Sequence, residues 1–133
     1  HFTGFANGTY LRLEGNQKAD FTSFVPRSAN WGISFNRKRV QVSARWNYRG
    51  ENKGAGFPTL GPDAFNYEKA RTTLDMNVEY EIRRWAALFV TVNNAFNVAP
   101  TSLRYGSETP AYARQYLTQE YGIQFNVGVK GTF

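Results

Sequence analysis

Between Val40 and Arg49 the side chains alternate without a break, Val40, Val42, Ala44, Trp46 and Tyr48 in one phase and Gln41, Ser43, Arg45, Asn47 and Arg49 in the other. Successive side chains of a strand point to opposite faces, so this segment predicts a strand with one apolar and one wet face. The pattern recurs over Thr72–Ile82, where Leu74, Met76, Val78, Tyr80 and Ile82 oppose Asp75, Asn77, Glu79 and Glu81. It recurs over Trp85–Asn97, with Ala86, Leu88, Val90, Val92 and Phe96 on the apolar face. The last fifteen residues set Tyr121, Ile123, Phe125, Val127, Val129 and Phe133 against Glu120, Gln124, Asn126, Lys130 and Thr132. Two earlier strands are predicted: Phe2–Leu13, whose facing Gly4 and Gly8 blur, and Asn30–Asn36, with Trp31, Ile33 and Phe35 on one side.

The six strands are joined by connections that read long, short, long, short, long. Two are tight and basic, Arg37-Lys38-Arg39 and Arg83-Arg84; three are long, over 14–27, 50–70 and 98–118, and the last two carry several Gly and Pro residues and are expected to be loops. A soluble sandwich can alternate in this way, but a transmembrane barrel requires it, because lipid lies outside the wall and a polar lumen inside. Short periplasmic turns and long extracellular loops are also the asymmetry of outer-membrane barrels. With Phe133 at the periplasmic side, counting back through the hairpins puts both basic turns in the periplasm and all three long connections outside. The fold class expected is therefore all-β, a transmembrane antiparallel barrel. Six strands are too few to close one, which takes about eight. The chain is then a part of a larger barrel, or it oligomerises, or it is not a membrane protein.

Composition adds little to this choice. The 133 residues suit one ordinary domain, and no apolar run approaches the length of a membrane helix. Aromatic residues make up 17% of the chain, which suits interfacial girdles, sugar platforms and base-stacking surfaces alike. Without cysteine there is neither a disulfide frame nor a thiolate metal site. A net charge of +6 raises nucleic acid as a partner, but five of the basic residues sit in the two tight turns, which argues against a continuous basic groove. The start at His1-Phe2-Thr3, without an initiator Met or a charged leader, reads as a processed or truncated chain.

Candidate chemistry is sparse. One terminal His, no Cys, no nucleophile elbow and no phosphate loop leave no expectation of catalysis, of a metal or of a cofactor. Arg45, Arg49, Asp75, Glu79, Glu81 and Lys130 fall on the wet face, either as contacts to a ligand or plug or as a hydrated wall with cross-strand charge pairs. Trp31, Trp46, Tyr48, Tyr80 and Trp85 fit aromatic girdles at the two headgroup levels. In the long connections Phe57, Phe65, Tyr67, Tyr105, Tyr112 and Tyr116, with Arg71, Arg104 and Arg114, are candidates for ligand capture. Rings stack on sugar faces or aromatic siderophores, and Arg grips a carboxylate with two parallel hydrogen bonds. The alternative is that these side chains pack on one another.

Several short segments resemble a known family. Asn93-Asn94-Ala95-Phe96-Asn97 at a strand end is similar to a segment near the carboxyl end of TonB-dependent outer-membrane receptors. Phe24-Val25-Pro26-Arg27-Ser28-Ala29-Asn30, Trp46-Asn47-Tyr48-Arg49-Gly50-Glu51, Leu74-Asp75 and Gly128-Val129-Lys130-Gly131-Thr132-Phe133 resemble the same group. The resemblance implies that residues 1–133 are the carboxyl-terminal six strands of a 22-stranded barrel in the outer membrane of a Gram-negative bacterium, with the plug domain outside this chain. Its implied partners are the lipid bilayer, the TonB complex acting through the missing amino-terminal part, and a scarce small-molecule or oligosaccharide ligand. The barrel-assembly machinery would read Tyr121, Ile123, Phe125, Val127, Val129 and Phe133.

Two other classes compete with that reading. A passive porin or adhesion barrel would lack the plug. A soluble basic β-barrel binding single-stranded nucleic acid would interleave aromatic and basic residues on one strand face, whereas Trp46 and Tyr48 oppose Arg45 and Arg49. Nucleic acid is accordingly not expected as a partner.

Overall fold

A computed structural model describes residues 1–14 and 22–131, so Phe133, its neighbour Thr132 and part of the first long connection lie outside the described residues. The chain is all-β and antiparallel. Ten strands run β1 (Phe2–Tyr10), β2 (Arg27–Arg37), β3 (Val40–Arg49), β4 (Asn52–Gly56), β5 (Phe65–Glu68), β6 (Arg71–Arg83), β7 (Ala86–Asn93), β8 (Thr101–Tyr105), β9 (Gln115–Thr118) and β10 (Gln124–Gly131). Single 3-10 turns at Pro58–Leu60 and Ala111–Ala113 top the two later hairpins.

The six strands expected from the alternation form one sheet in the order β1-β2-β3-β6-β7-β10. Register carries the alternation of each strand across the whole sheet. One row reads Phe2, Phe35, Val42, Val78, Val90, Val127; the next Thr3, Ser34, Ser43, Asn77, Thr91, Asn126; the next Gly4, Ile33, Ala44, Met76, Val92, Phe125. A slip of one residue in any pair would put polar side chains into an apolar row, so register is strongly specified. The facing of β1, ambiguous in the sequence, follows from its pairing. Phe5 falls on the polar side opposite Gly32, and Phe89 falls opposite Gly128 in the same way. A Cβ on Gly32 would lie 2.6 Å from the Phe5 ring and 2.8 Å from the Ala44 carbonyl; one on Gly128 would lie 2.7 Å from the Phe89 ring. Each ring occupies the space that its glycine leaves open.

The second sheet, ordered β4-β5-β8-β9, corrects the expectation that 50–70 and 98–118 are loops. Its order repeats that of β3-β6-β7-β10, so four strands of the main sheet continue past a short interruption into it. Gly50 makes one interruption: its N–H donates to the Arg27 carbonyl at 2.8 Å, and a Cβ there would lie 2.9 Å from that oxygen. Across the gap Arg49 reaches Glu68 at 3.5 Å. The first long connection leans on the same extension, with Phe24 bridging to Lys53. All long connections therefore stand at one end of the main sheet, and the two-residue turns Lys38-Arg39 and Arg84-Trp85 stand at the other.

Two boundaries differ from expectation. The seventh strand stops at Asn93, and Asn94, at φ 54, turns the chain so that Phe96 lies outside the strand. The last strand begins at Gln124 rather than Gln119, because Gly122, at φ 75, breaks the extended chain; Tyr121 and Ile123 precede it. Phe125, Val127 and Val129 keep the expected facing and are exposed.

Neither sheet has a core. Among the described residues only Ala64 and Ala87 are buried apolar side chains. The accessible surface is 9946 Å², against roughly 7,100 Å² for a compact monomer of this mass. The excess lies on the apolar face, where Phe2, Ile33, Tyr80, Val127 and Val129 are open, and along β1 and β10, the edges of a sheet that does not close.

Candidate functional site at the rim

The aromatic and cationic candidates of the long connections come together on the second sheet, divided between its two faces. Residue 66 faces opposite to 65 and 67, which fixes the division. On one face Arg104 lies between two rings, its guanidinium carbon 3.9 Å from the centre of Phe57 and 3.6 Å from that of Tyr116. Its Nε donates to Asn66 Oδ1 at 2.7 Å. On the other face Tyr67 stacks on Tyr105 with centroids 4.3 Å apart, and Arg114 covers Tyr105 at 4.8 Å. Lys53 Nζ sits 3.3 Å over Phe65 on that same face.

Each cation is thus held by rings of its own chain. Such contacts are worth about 0.5–2 kcal/mol each depending on exposure. Arg104 has both π-faces covered and Nε engaged, so the groups left for a ligand are the two Nη at the edge of its plane, the edge that suits a carboxylate. Burial, with the negative fields of Tyr105, Glu51 and Asp63, raises the Tyr67 phenol above its ordinary value and keeps it neutral. Asp63 accepts from the Ser107 N–H at 2.8 Å, and its hydrogen bonds from Ser107 hold its carboxyl below the usual carboxylate value. That contact ties the tip of one hairpin to the other.

Two candidates stand apart. Tyr112 is 90% exposed on its 3-10 turn. Arg71, at the start of β6, lines an open cleft of ≈ 530 Å³ with Asn94, Pro100, Tyr121 and Gln124, below the stacked clusters. Lys53 and Asn66 were not singled out in the sequence; the signal for Asn66 was its position between Phe65 and Tyr67.

A second constellation joins residues that the sequence showed only as separate segments. Asp75 accepts from Asn47 Nδ2 at 3.1 Å through one oxygen and from the Asn94 N–H at 3.0 Å through the other. Asn94 then donates Nδ2 to the carbonyls of Val98 (3.1 Å) and Gly122 (3.3 Å), while its Oδ1 accepts from the Val98 N–H at 2.9 Å. The Ala95 N–H donates to the Leu74 carbonyl at 2.7 Å. The Trp46-Asn47, Leu74-Asp75 and Asn93–Asn97 segments thus form one joint, at the level where the main sheet passes into the second sheet.

The polar face below this joint is shallowly concave, with ≈ 490 Å³ lined by Phe5, Ser43, Arg45, Asp75, Asn77 and Thr91 among others. Lys130 pairs with Glu79 at 2.6 Å. No three His, Cys, Asp or Glu side chains converge among the described residues. No family model, curated protein or solved structure matches the chain.

Proposed function

We propose that this chain is the carboxyl-terminal wall and rim of a TonB-dependent outer-membrane receptor, which captures a scarce ligand outside the cell for energised uptake. The observation that carries the reading is the sheet whose middle rows, from Trp31, Trp46 and Leu74 to Phe35, Val42 and Val78, are apolar on one face and mainly polar on the other, with the apolar face uncovered. Water on both sides would leave that face without a partner. From Leu74 to Ile82 the apolar rows cover roughly 20 Å along the bilayer normal at the tilt of a barrel strand, close to the height of a membrane band. Trp31 and Trp46, stacked 6.4 Å apart, stand toward its rim end, and Tyr80 and Trp85 toward its other end.

In this reading further strands pair with the free edges of β1 and β10, and plug and TonB contact belong to other parts of the protein. The rim offers rings and the edge of Arg104 to a ligand with flat or carboxylate character. Rim aromatics and cations do interleave on one face, as a nucleic-acid surface would require. However, Lys53, Lys69, Arg104 and Arg114 are matched there by Glu51, Asp63, Glu68 and Glu108, so the rim has no net positive field.

The test is a pair of substitutions in adjacent rows of the full-length protein. Val42→Arg puts a charge in the apolar row at an expected cost of about 2–4 kcal/mol near the bilayer midplane. Ser43→Arg adds the same side chain to the polar row. Val42→Arg is expected to abolish the heat-modifiable folded band in the outer-membrane fraction and Ser43→Arg to retain it. Equal behaviour of the two ends the membrane reading.

A further inference from the structure

The net charge of this chain is concentrated at one end of the wall. The rim segments balance, and of the six excess positive charges five correspond to Arg37, Lys38, Arg39, Arg83 and Arg84 in the two short turns. These turns are neighbours, because β3 and β6 pair and the Glu81 N–H donates to the Arg39 carbonyl at 2.8 Å. Among the described residues none of the five has a carboxylate within ion-pair distance; the nearby Glu79 is taken by Lys130, and Glu81 shares the polar-face row of Ala87 and Lys130.

Register places one of these cations, Arg37, on the other face, where it pairs with Val40 of an apolar row. The register of β6 shifts between Glu81 and Arg83, and Arg83, Arg84 and Trp85 line an open cleft with Glu79, Glu81 and Lys130 of the polar face. Trp85, 60% exposed, sits in the second turn, and Tyr80 and Val129 are open in the same apolar row as Val40. An arginine at the end of an apolar face can lay its stem along hydrocarbon and its head at the phosphate level, and an exposed tryptophan at the same end of the wall suits the headgroup level.

We propose that the short-turn end of the wall is a binding rim for anionic phospholipid headgroups of the adjoining leaflet, held by Arg37, Lys38, Arg39, Arg83 and Arg84 around Trp85. This rests on the membrane reading and adds to it a lipid preference confined to one end. Each cation adds to the attraction where it reaches an anionic headgroup surface.

The experiment uses the full-length protein reconstituted in phosphatidylcholine vesicles carrying a trace of spin-labelled phosphatidylglycerol or spin-labelled phosphatidylcholine. The protein-associated component of the spectrum gives the relative association of the two lipids. The parent is expected to favour phosphatidylglycerol by about 3-fold, a fraction of what five cations could supply. The variants R83Q/R84Q and R37Q/K38Q/R39Q should each lower that ratio, and the combined variant should bring it to about 1. A variant with Lys at the four Arg positions should keep the preference, separating charge from folding. An unchanged ratio in the folded combined variant overturns the headgroup rim and leaves the wall in the bilayer. The lack of a protein-associated lipid component for the parent overturns both.

Discussion

Asp75 is the residue whose loss should loosen the junction of wall and rim most. Its carboxylate accepts from Asn47 and from the Asn94 N–H, at 3.1 and 3.0 Å, in a partly buried setting. Hydrogen bonds to a charged group contribute about 1.5–3 kcal/mol each, and partial access to water favours the lower end, so Asp75→Ala should cost about 3 kcal/mol. Asp75→Asn keeps one oxygen for the Asn94 N–H. Turning the Asn47 amide over lets the new Nδ2 donate to Asn47 Oδ1, so this variant should lose only the charge-assisted share, about 1 kcal/mol. Urea unfolding of the reconstituted protein, followed through tryptophan emission, measures both. Amide exchange localises the effect: the Asn94 N–H should exchange about 100-fold faster in Asp75→Ala if about 3 kcal/mol of local protection is lost. The reasoning fails if Asp75→Ala stays within about 0.5 kcal/mol of the parent, or if Asn at 75 costs as much as Ala.

Three further outcomes are expected. Arg104→Lys should loosen the rim sheet without unfolding the wall, because an ammonium cannot stack flat between Phe57 and Tyr116 at 3.9 and 3.6 Å; exchange should quicken in β5 and β8 and stay unchanged in β3 and β6. The Asp63–Ser107 tie should be intact above the ordinary Asp63 value of 3.8 and be lost as pH falls below it toward the lowered folded value, since only the ionised carboxylate is favoured; protection of the Ser107 N–H against pH measures this, and Asp63→Asn should flatten the profile. Gly32→Ala should destabilise the wall by about 1–3 kcal/mol. Adding Phe5→Leu should not restore the unfolding midpoint, because the Ala44 carbonyl, 2.8 Å from the new methyl, is backbone and cannot move aside.

The wall strands were legible because their apolar and polar side chains alternate with the period of two that a strand itself has. Val40–Arg49 shows this most plainly, and its bounds coincide with β3. The rim strands were not legible. They have five residues or fewer, β4 contains Gly54 and Gly56, and both faces of the second sheet carry aromatics, so no apolar phase stands out. Tyr121 and Ile123 lie in phase with β10, but the chain bends at Gly122 between them and the strand begins only at Gln124. The rim candidates were found as residue types, but their partners were not, since Arg104 meets Phe57 and Tyr116 only through the continued pairing of four strands. The Asp75 joint left a fainter trace: an acid in an apolar-phased strand, and a pair of asparagines at a strand end.

The passage from wall to rim also has a consequence for changes of length. Strand pairing resumes beyond Gly50-Glu51 and Lys69-Ala70 in the register of the wall, Asn52 opposite Glu68 as Arg49 is opposite Arg71, and shifts only between Lys53 and Gly56. A residue gained or lost beyond that irregularity therefore need not propagate into the apolar rows. The hairpin tip between Lys53 and Tyr67 is thus the place where length could change while the rows from Phe2 to Val127 stay in step.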